Sequence, residues 1–258
     1  MKSDPLVTIV TPSYNQERFV EATIQSVLNQ SYNNIEYIFI DGGSTDDTMQ
    51  IVEKYKGKIN VVIHEKDKGQ ADAINKGFKL AKGELVGWIN SDDILYPDCV
   101  KNIVQLYKKN PDGTVYYSSY LDWINEQGEI IDKKNVNIPN RDYLLNKNYV
   151  IIQQGSFYPR EIVRRINYLD VNNHYCMDLA LWLDLLEVGK IYSVQINSPL
   201  AAFRIYSGTK TDTGKIKFLI NIKEVLLKKG AKWYSKNILV RVYFYMIKSK
   251  IKSTIWHQ

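Results

Sequence analysis

Gly87-Trp88-Ile89-Asn90-Ser91-Asp92-Asp93-Ile94 is the stretch on which the reading of this chain turns. The apolar run over 85–89 reads as a strand and ends directly in two adjacent carboxylates, with no lysine or arginine near them in sequence. Neighbouring acids at a strand end repel unless a cation joins them. A hard divalent ion, Mn2+ or Mg2+, held by one or two carboxylates and by phosphate oxygens, supplies that charge. The competing reading is a solvated acidic turn.

Upstream of these acids the chain alternates short apolar runs with helical periodicity. Strands are expected over 6–11, 35–40, 60–64 and 85–89, and helices over 17–29, 48–55, 71–81 and 98–107. Alternation at this spacing implies right-handed crossovers and a mostly parallel sheet with helices on both faces. Ligands of such sheets lie beyond the carboxyl ends of the strands. The polar clusters fall there: Thr11 to Asn15, Asp41 to Asp47, Asp67 to Gln70 and Asn90 to Asp93. From 114 to 204 the pattern is mixed, with strands expected near 115–120, 150–157 and 191–194 and a helix over 178–187. No fixed-period repeat or Pro/Gly linker parts the halves, so one continuous two-lobed domain is expected.

Each strand end carries chemistry and also has a plainer reading. Pro12 fixes φ after the first strand and leaves the Tyr14 ring to line a pocket, or the segment is simply a strand exit. Asp41 closes the second strand before Gly42-Gly43-Ser44-Thr45. Its carboxylate suits a base N–H or a ribose hydroxyl, unless this is a solvated turn whose Asp46 and Asp47 favour the next helix. Lys68 and Gln70 open the third helix at its positive end, where a diphosphate would lie; a charged helix cap is the alternative.

Composition narrows the class. The chain has 258 residues, 45% hydrophobic and 24% charged, enough for one substantial core. Its two cysteines, Cys99 and Cys176, have no CxxC spacing, and the first apolar run is too short for a signal peptide, so a reducing, cytoplasmic setting is expected. The net charge of +6 is uneven: residues 215–258 hold eleven Lys/Arg against Glu224 alone, a local +10 that leaves −4 on the remainder. The body is therefore free to offer carboxylates to a metal, and the basic surface lies in the tail.

The four strand-end motifs, in this order and spacing, resemble the inverting family 2 glycosyltransferases of the GT-A fold over residues 5–210. That resemblance implies a Rossmann-like, mixed but mostly parallel sheet flanked by helices. It implies transfer of a sugar from a nucleotide diphosphate donor, UDP, GDP or dTDP, to a hydroxyl of a glycan or lipid-linked acceptor in surface polysaccharide synthesis. Donor contacts would come from Thr11, Pro12, Ser13, Tyr14, Glu17, Asp41, Lys68, Gln70, Asn90, Ser91 and Asp92. Asn90-Ser91-Asp92 would stand for the DxD motif, with Asp92 the principal metal ligand and Asp93 either sharing the ion or standing behind its ligand. Tyr175-Cys176-Met177-Asp178 looks like the acidic motif that starts a helix, making Asp178 the catalytic base, although Met177 replaces the usual preceding acid. Gln154 and Gly155, with Trp182, would lie on the acceptor side. Arg204, Tyr206 and Lys210 would lie on a closing loop near the phosphates, where relatives often carry histidine in place of Tyr206.

The expected organisation is a catalytic domain over 1–214, with a donor half 1–110 and an acceptor half 111–214, followed by a basic amphipathic helical extension over 215–258. Two readings of that tail stand: an anionic membrane surface at the inner face of the cell membrane, or an apolar face packed on the domain with lysines outward. Nucleic acid is not expected as a partner. Two rival functions are a sugar nucleotidyltransferase, whose Gly-rich triphosphate loop Thr11 to Asn15 lacks, and a degenerate nucleotide-sugar or glycan binder suggested by Asn90, Met177 and Tyr206.

Overall fold

A computed structural model describes residues 4–194, 196–232 and 244, and the backbone alone for 210–213, 215 and 216. The chain begins β1 (Val7–Ser13), α1 (Val20–Leu28), β2 (Ile35–Asp41), α2 (Thr48–Glu53), β3 (Val61–His64), α3 (Gln70–Leu80), β4 (Leu85–Trp88), β5 (Ile94–Leu95) and α4 (Cys99–Lys109). It continues β6 (Gly113–Ser118), β7 (Tyr120–Ile124), β8 (Ile130–Asn135), α5 (Arg141–Asn146), β9 (Phe157–Pro159), α6 (Arg160–Arg165), α7 (Met177–Val188), β10 (Lys190–Val194), β11 (Ala201–Arg204) and α8 (Lys210–Lys228).

The inner strands β1 and β2 are buried on both faces, as a covered parallel sheet requires: all seven residues of β1 and six of seven in β2 are buried. The main sheet runs β10-β6-β9-β4-β1-β2-β3, with β1 parallel to β2 and β4 and β2 parallel to β3. Only β9 is reversed, antiparallel to β4 and to β6. This is the mostly parallel α/β architecture read from the sequence.

Two features were not legible there. A second sheet, β5-β11-β7-β8, packs across the strand ends. Its hairpin turns at Asn125, whose side-chain oxygen accepts from the amides of Gln127 and Glu129. The strand expected over 150–157 is reduced to Phe157–Pro159. Gly155 sits at φ +70, and the Ser156 amide and hydroxyl both donate to the Gln153 carbonyl, so the preceding residues form a loop instead of a ladder.

The basic extension, expected from 215, begins inside α8. Ile222, Val225 and Leu226 are buried. The Asn221 side-chain oxygen accepts from the Tyr175 and Cys176 amides, and Lys229 pairs with Asp184 of α7. The described start of the tail thus packs on the domain. Residues 233–258, apart from 244, lie outside the described residues, and with them most of the tail expectation. Among the described residues no helix is long and apolar enough to cross a membrane.

Candidate functional site

Where the carboxyl ends of β1 to β4 face the second sheet, one cavity of about 1180 Å3 opens. At one end lie the exits of β1, β2 and β3. Ser13 is buried, and its hydroxyl has no hydrogen-bond partner among the described residues, while the Tyr14 ring is 60% exposed. A side chain at 42 would put its Cβ 2.5 Å from Asp67 Oδ2, so glycine is what lets the Asp67 carboxylate fold over the end of β2. The Gly69 amide donates to Asp67 Oδ1 at 2.8 Å, and Gly69 itself takes φ +111 to start α3.

The centre of the cavity is the acid pair, and its two members face opposite ways. Asp93 is fully buried; its Oδ1 accepts from the Arg204 amide at 3.0 Å, and its Oδ2 accepts from Asn90 Nδ2 at 3.1 Å and Gln154 Nε2 at 3.0 Å. Asp92 lines the cavity, and its Oδ2 accepts from the Tyr206 hydroxyl at 3.0 Å. Burial raises both carboxyls above the usual range, and Asp92's charge adds to the rise at Asp93. Burial, then Asp92, pushes the Tyr206 hydroxyl up to about 12, so it stays protonated and donates.

Asn90 connects this centre to the start of α3, accepting from Gln70 Nε2 at 2.7 Å and donating to Asp93. An aspartate at 90 would set a second carboxylate 3.1 Å from Asp93; the amide suits an inward-turned acid. Asp178 also lines the cavity, from the first turn of α7 beside Met177 and Tyr175, as do the loop residues Ile151, Ile152 and Gln153 and the hairpin residues Trp123 and Lys134.

Of the expected site residues, Pro12, Ser13, Tyr14, Gln70, Asn90, Ser91, Asp92, Gln154, Asp178 and Tyr206 line this cavity together. Others do not. Thr11 is buried and accepts from the Tyr37 hydroxyl. Asp41 is wholly buried, accepting from the Gly43 and Ser44 amides and standing 2.7 Å from His64 Nδ1, so it shapes the β2 turn from behind. Glu17 is exposed and accepts from the Asp47 amide in an adjacent recess of about 290 Å3. Lys68 is exposed and off the cavity; the lysine of this segment that lines it is Lys66.

Gly155 packs beneath the loop, against the Cys99 sulfur. Trp182 is a core residue, its Nε1 donating to the Tyr158 hydroxyl at 2.8 Å. Arg204 is also buried: its Nε donates to the Asp92 carbonyl and its Nη1 to the carbonyls of Asn125 and Glu126, which fastens the acid turn to the hairpin. The side chain of Lys210 lies outside the described residues. Asp67 was within reach of sequence reasoning, since it belongs to a strand-end cluster; Lys66, Trp123 and Lys134 left no such signal.

Among the described residues no three His, Cys, Asp or Glu side chains stand together as a metal cage. Mg2+ and Mn2+ need less, one or two carboxylates beside phosphate oxygens. Asp92 fits that role because its carboxylate faces the cavity next to a hydroxyl donor. Asp93 is placed differently: protein donors already occupy both its oxygens, which favours the second of its two expected places, behind the ligand.

The sequence model of glycosyl transferase family 2 matches residues 8–166. The Escherichia coli UDP-Glc:alpha-D-GlcNAc-diphosphoundecaprenol beta-1,3-glucosyltransferase WfaP is 29% identical over 249 residues, 96% of this chain and 95% of that protein. S. aureus TarS in complex with UDP-GlcNAc superposes with TM-score 0.66 at 16% identity, over 93% of this chain and 70% of that one. The mannosyltransferase PcManGT from Pyrobaculum calidifontis in complex with GDP-Man and Mn2+ gives 0.63 at 16% identity, over 95% and 70%. At these identities the two structures speak for the fold.

Proposed function

We propose, from the premise that this chain belongs to glycosyl transferase family 2 and is a glycosyltransferase, that its cavity transfers a sugar with inversion from a nucleotide diphosphate donor to an acceptor hydroxyl. The supporting observation is that Ser13, Asp92 and Asp178 line one cavity, a partnerless buried hydroxyl at one end and two carboxylates further along. Residues 1–110 serve the donor and 111–214 the acceptor.

In this reading the Tyr14 ring and Ser13 hydroxyl hold the nucleoside, with the Asp67 carboxylate beside them. Gln70, at the start of α3, and Asn90 flank the diphosphate. A divalent ion on Asp92 would neutralise charge on the departing diphosphate. Tyr206, hydrogen-bonded to Asp92, fixes that carboxylate's orientation. The Asp178 carboxylate takes the proton of the acceptor hydroxyl; the oxygen attacks the anomeric carbon opposite the diphosphate, and the C1–O electron pair leaves with it. One displacement inverts the anomeric centre and needs no second carboxylate nucleophile.

Support for a lipid-borne acceptor comes from the diphosphoundecaprenol substrate in the name of WfaP. The test is nucleoside diphosphate release from UDP, GDP and dTDP sugars, with and without Mn2+, for wild type and Asp92→Ala, with the product anomer read by NMR. Metal-dependent release lost in the variant, with an inverted product, is expected. Nucleotide binding without turnover on any acceptor would favour the degenerate binder instead.

A further inference from the structure

Among the described residues lining the cavity there are two cations and three carboxylates. Lys66 lies at the donor end, its Cγ 3.2 Å from where a Cβ on Gly43 would be. Lys134 lies in the half built by residues 121–218, and no function described above uses it. It is carried by β8, the edge strand of the second sheet, in which the other five residues are exposed and Lys134 alone is half-buried. Its Nζ stands 4.0 Å from the centroid of Trp123, and Trp123 in turn meets Phe203 edge to face. The ammonium is thus held over an aromatic ring at the cavity wall, where it also pairs with Asp132.

The same cavity carries hydrocarbon from Leu121, which pairs with Lys134 across the strands, from Val136, and from the loop residues Val150, Ile151 and Ile152, with Val150 44% exposed. A neutral glycan is bound through many hydrogen-bonding groups, and this wall offers few. An anion joined directly to a hydrocarbon chain matches both features. The present partner of Lys134 is Asp132, an exposed carboxylate in an exposed ion pair, which a multiply charged phosphate can exchange.

We propose that Lys134 and this apolar wall form a subsite for a lipid diphosphate, the carrier end of the acceptor, with the ammonium on the diphosphate and the first carbons of the lipid against Val136, Val150 and Ile151. The inference rests on the glycosyltransferase reading of the same cavity and names the acceptor's chemistry. The sugar on that diphosphate would then reach towards Asp178, which lines the same cavity.

The probe is farnesyl diphosphate, titrated calorimetrically into the full chain with the donor end saturated by UDP. Wild type should bind it, Lys134→Gln should weaken binding by about tenfold or more, and Lys134→Arg should stay within about threefold, since the charge-assisted contact is kept. Farnesol and inorganic diphosphate should each bind far more weakly than the intact probe. Wild-type affinity in Lys134→Gln, or farnesol binding equally well, overturns the anion subsite, and inorganic diphosphate matching the probe overturns the lipid wall. UDP affinity, measured separately in each protein, distinguishes the two levels. If UDP binds and farnesyl diphosphate does not, only this inference fails, whereas absence of UDP binding removes the donor reading itself.

Discussion

The two ends of the cavity are built differently. At the end proposed to hold the donor, the lining follows the exits of parallel strands whose register is fixed along their length: Ser13 pairs with Asp41, and Asp41 with His64. At the acceptor end the lining comes from an edge hairpin, a loop that interrupts an expected strand, the first turn of α7 and the side of α8. Parallel pairing of buried strands leaves little freedom, so the donor end is a property of the sheet. The acceptor end exists only once separate elements have packed. The donor end is accordingly the part expected to be common among relatives, and the acceptor end the part that sets what each one builds.

The sharpest way to break this division is Asp178→Asn. If the acceptor end supplies the base and the donor end is independent of it, turnover should fall by about a thousandfold, the scale of a lost general base, while calorimetric UDP affinity and melting temperature stay near wild type. An equal loss of nucleotide binding would mean the two ends are not separable. Undiminished turnover would move the base to another residue.

A smaller effect separates the two adjacent acids. Asp93→Ala leaves the Arg204 amide, Asn90 Nδ2 and Gln154 Nε2 without their acceptor, in a place closed to water. A loss of about 3 kcal/mol in unfolding free energy is expected, from unsatisfied buried donors and a small cavity. Asp92→Ala, which removes one bond from Tyr206 on the cavity wall, should cost about 1 kcal/mol or less. Urea denaturation of the two variants measures the difference. Equal destabilisation would contradict the opposed orientations of the pair.

The contrast explains how far the sequence could be read. Alternating strands and helices announced the sheet, and strand ends announced Pro12 to Tyr14, Gln70 and Asn90 to Asp92, because covered parallel strands are written as apolar runs that stop where polar residues begin. Which way a strand-end side chain turns is set by its neighbours, not its own type. Asp41 and Asp93 carry the same chemistry as Asp67 and Asp92, but both turn inward, onto the amides of Gly43 and Ser44 in one case and onto Arg204 and Gln154 in the other. Arg204 read as a phosphate ligand because a buried guanidinium that fastens a hairpin looks identical in sequence. Lys134 was invisible because β8 is a short, exposed edge strand, and nothing in its composition marks the one residue turned into the cavity.

The finest test lies at the donor end, on the Ser13 hydroxyl. It is 5% exposed and has no partner among the described residues, so folding has removed it from water without a compensating bond. Ser13→Ala therefore deletes a polar group whose burial opposes folding, and the melting temperature should hold or rise slightly. If the hydroxyl is aimed at a nucleoside, the same change should weaken UDP binding by about fivefold, the worth of one neutral hydrogen bond. Stability and affinity would then move in opposite directions on losing a single atom, which is what a group placed for a ligand does. Unchanged affinity with raised stability would make the orphan a packing defect of β1, and the nucleoside's contacts would have to be sought at Tyr14 and Asp67 alone.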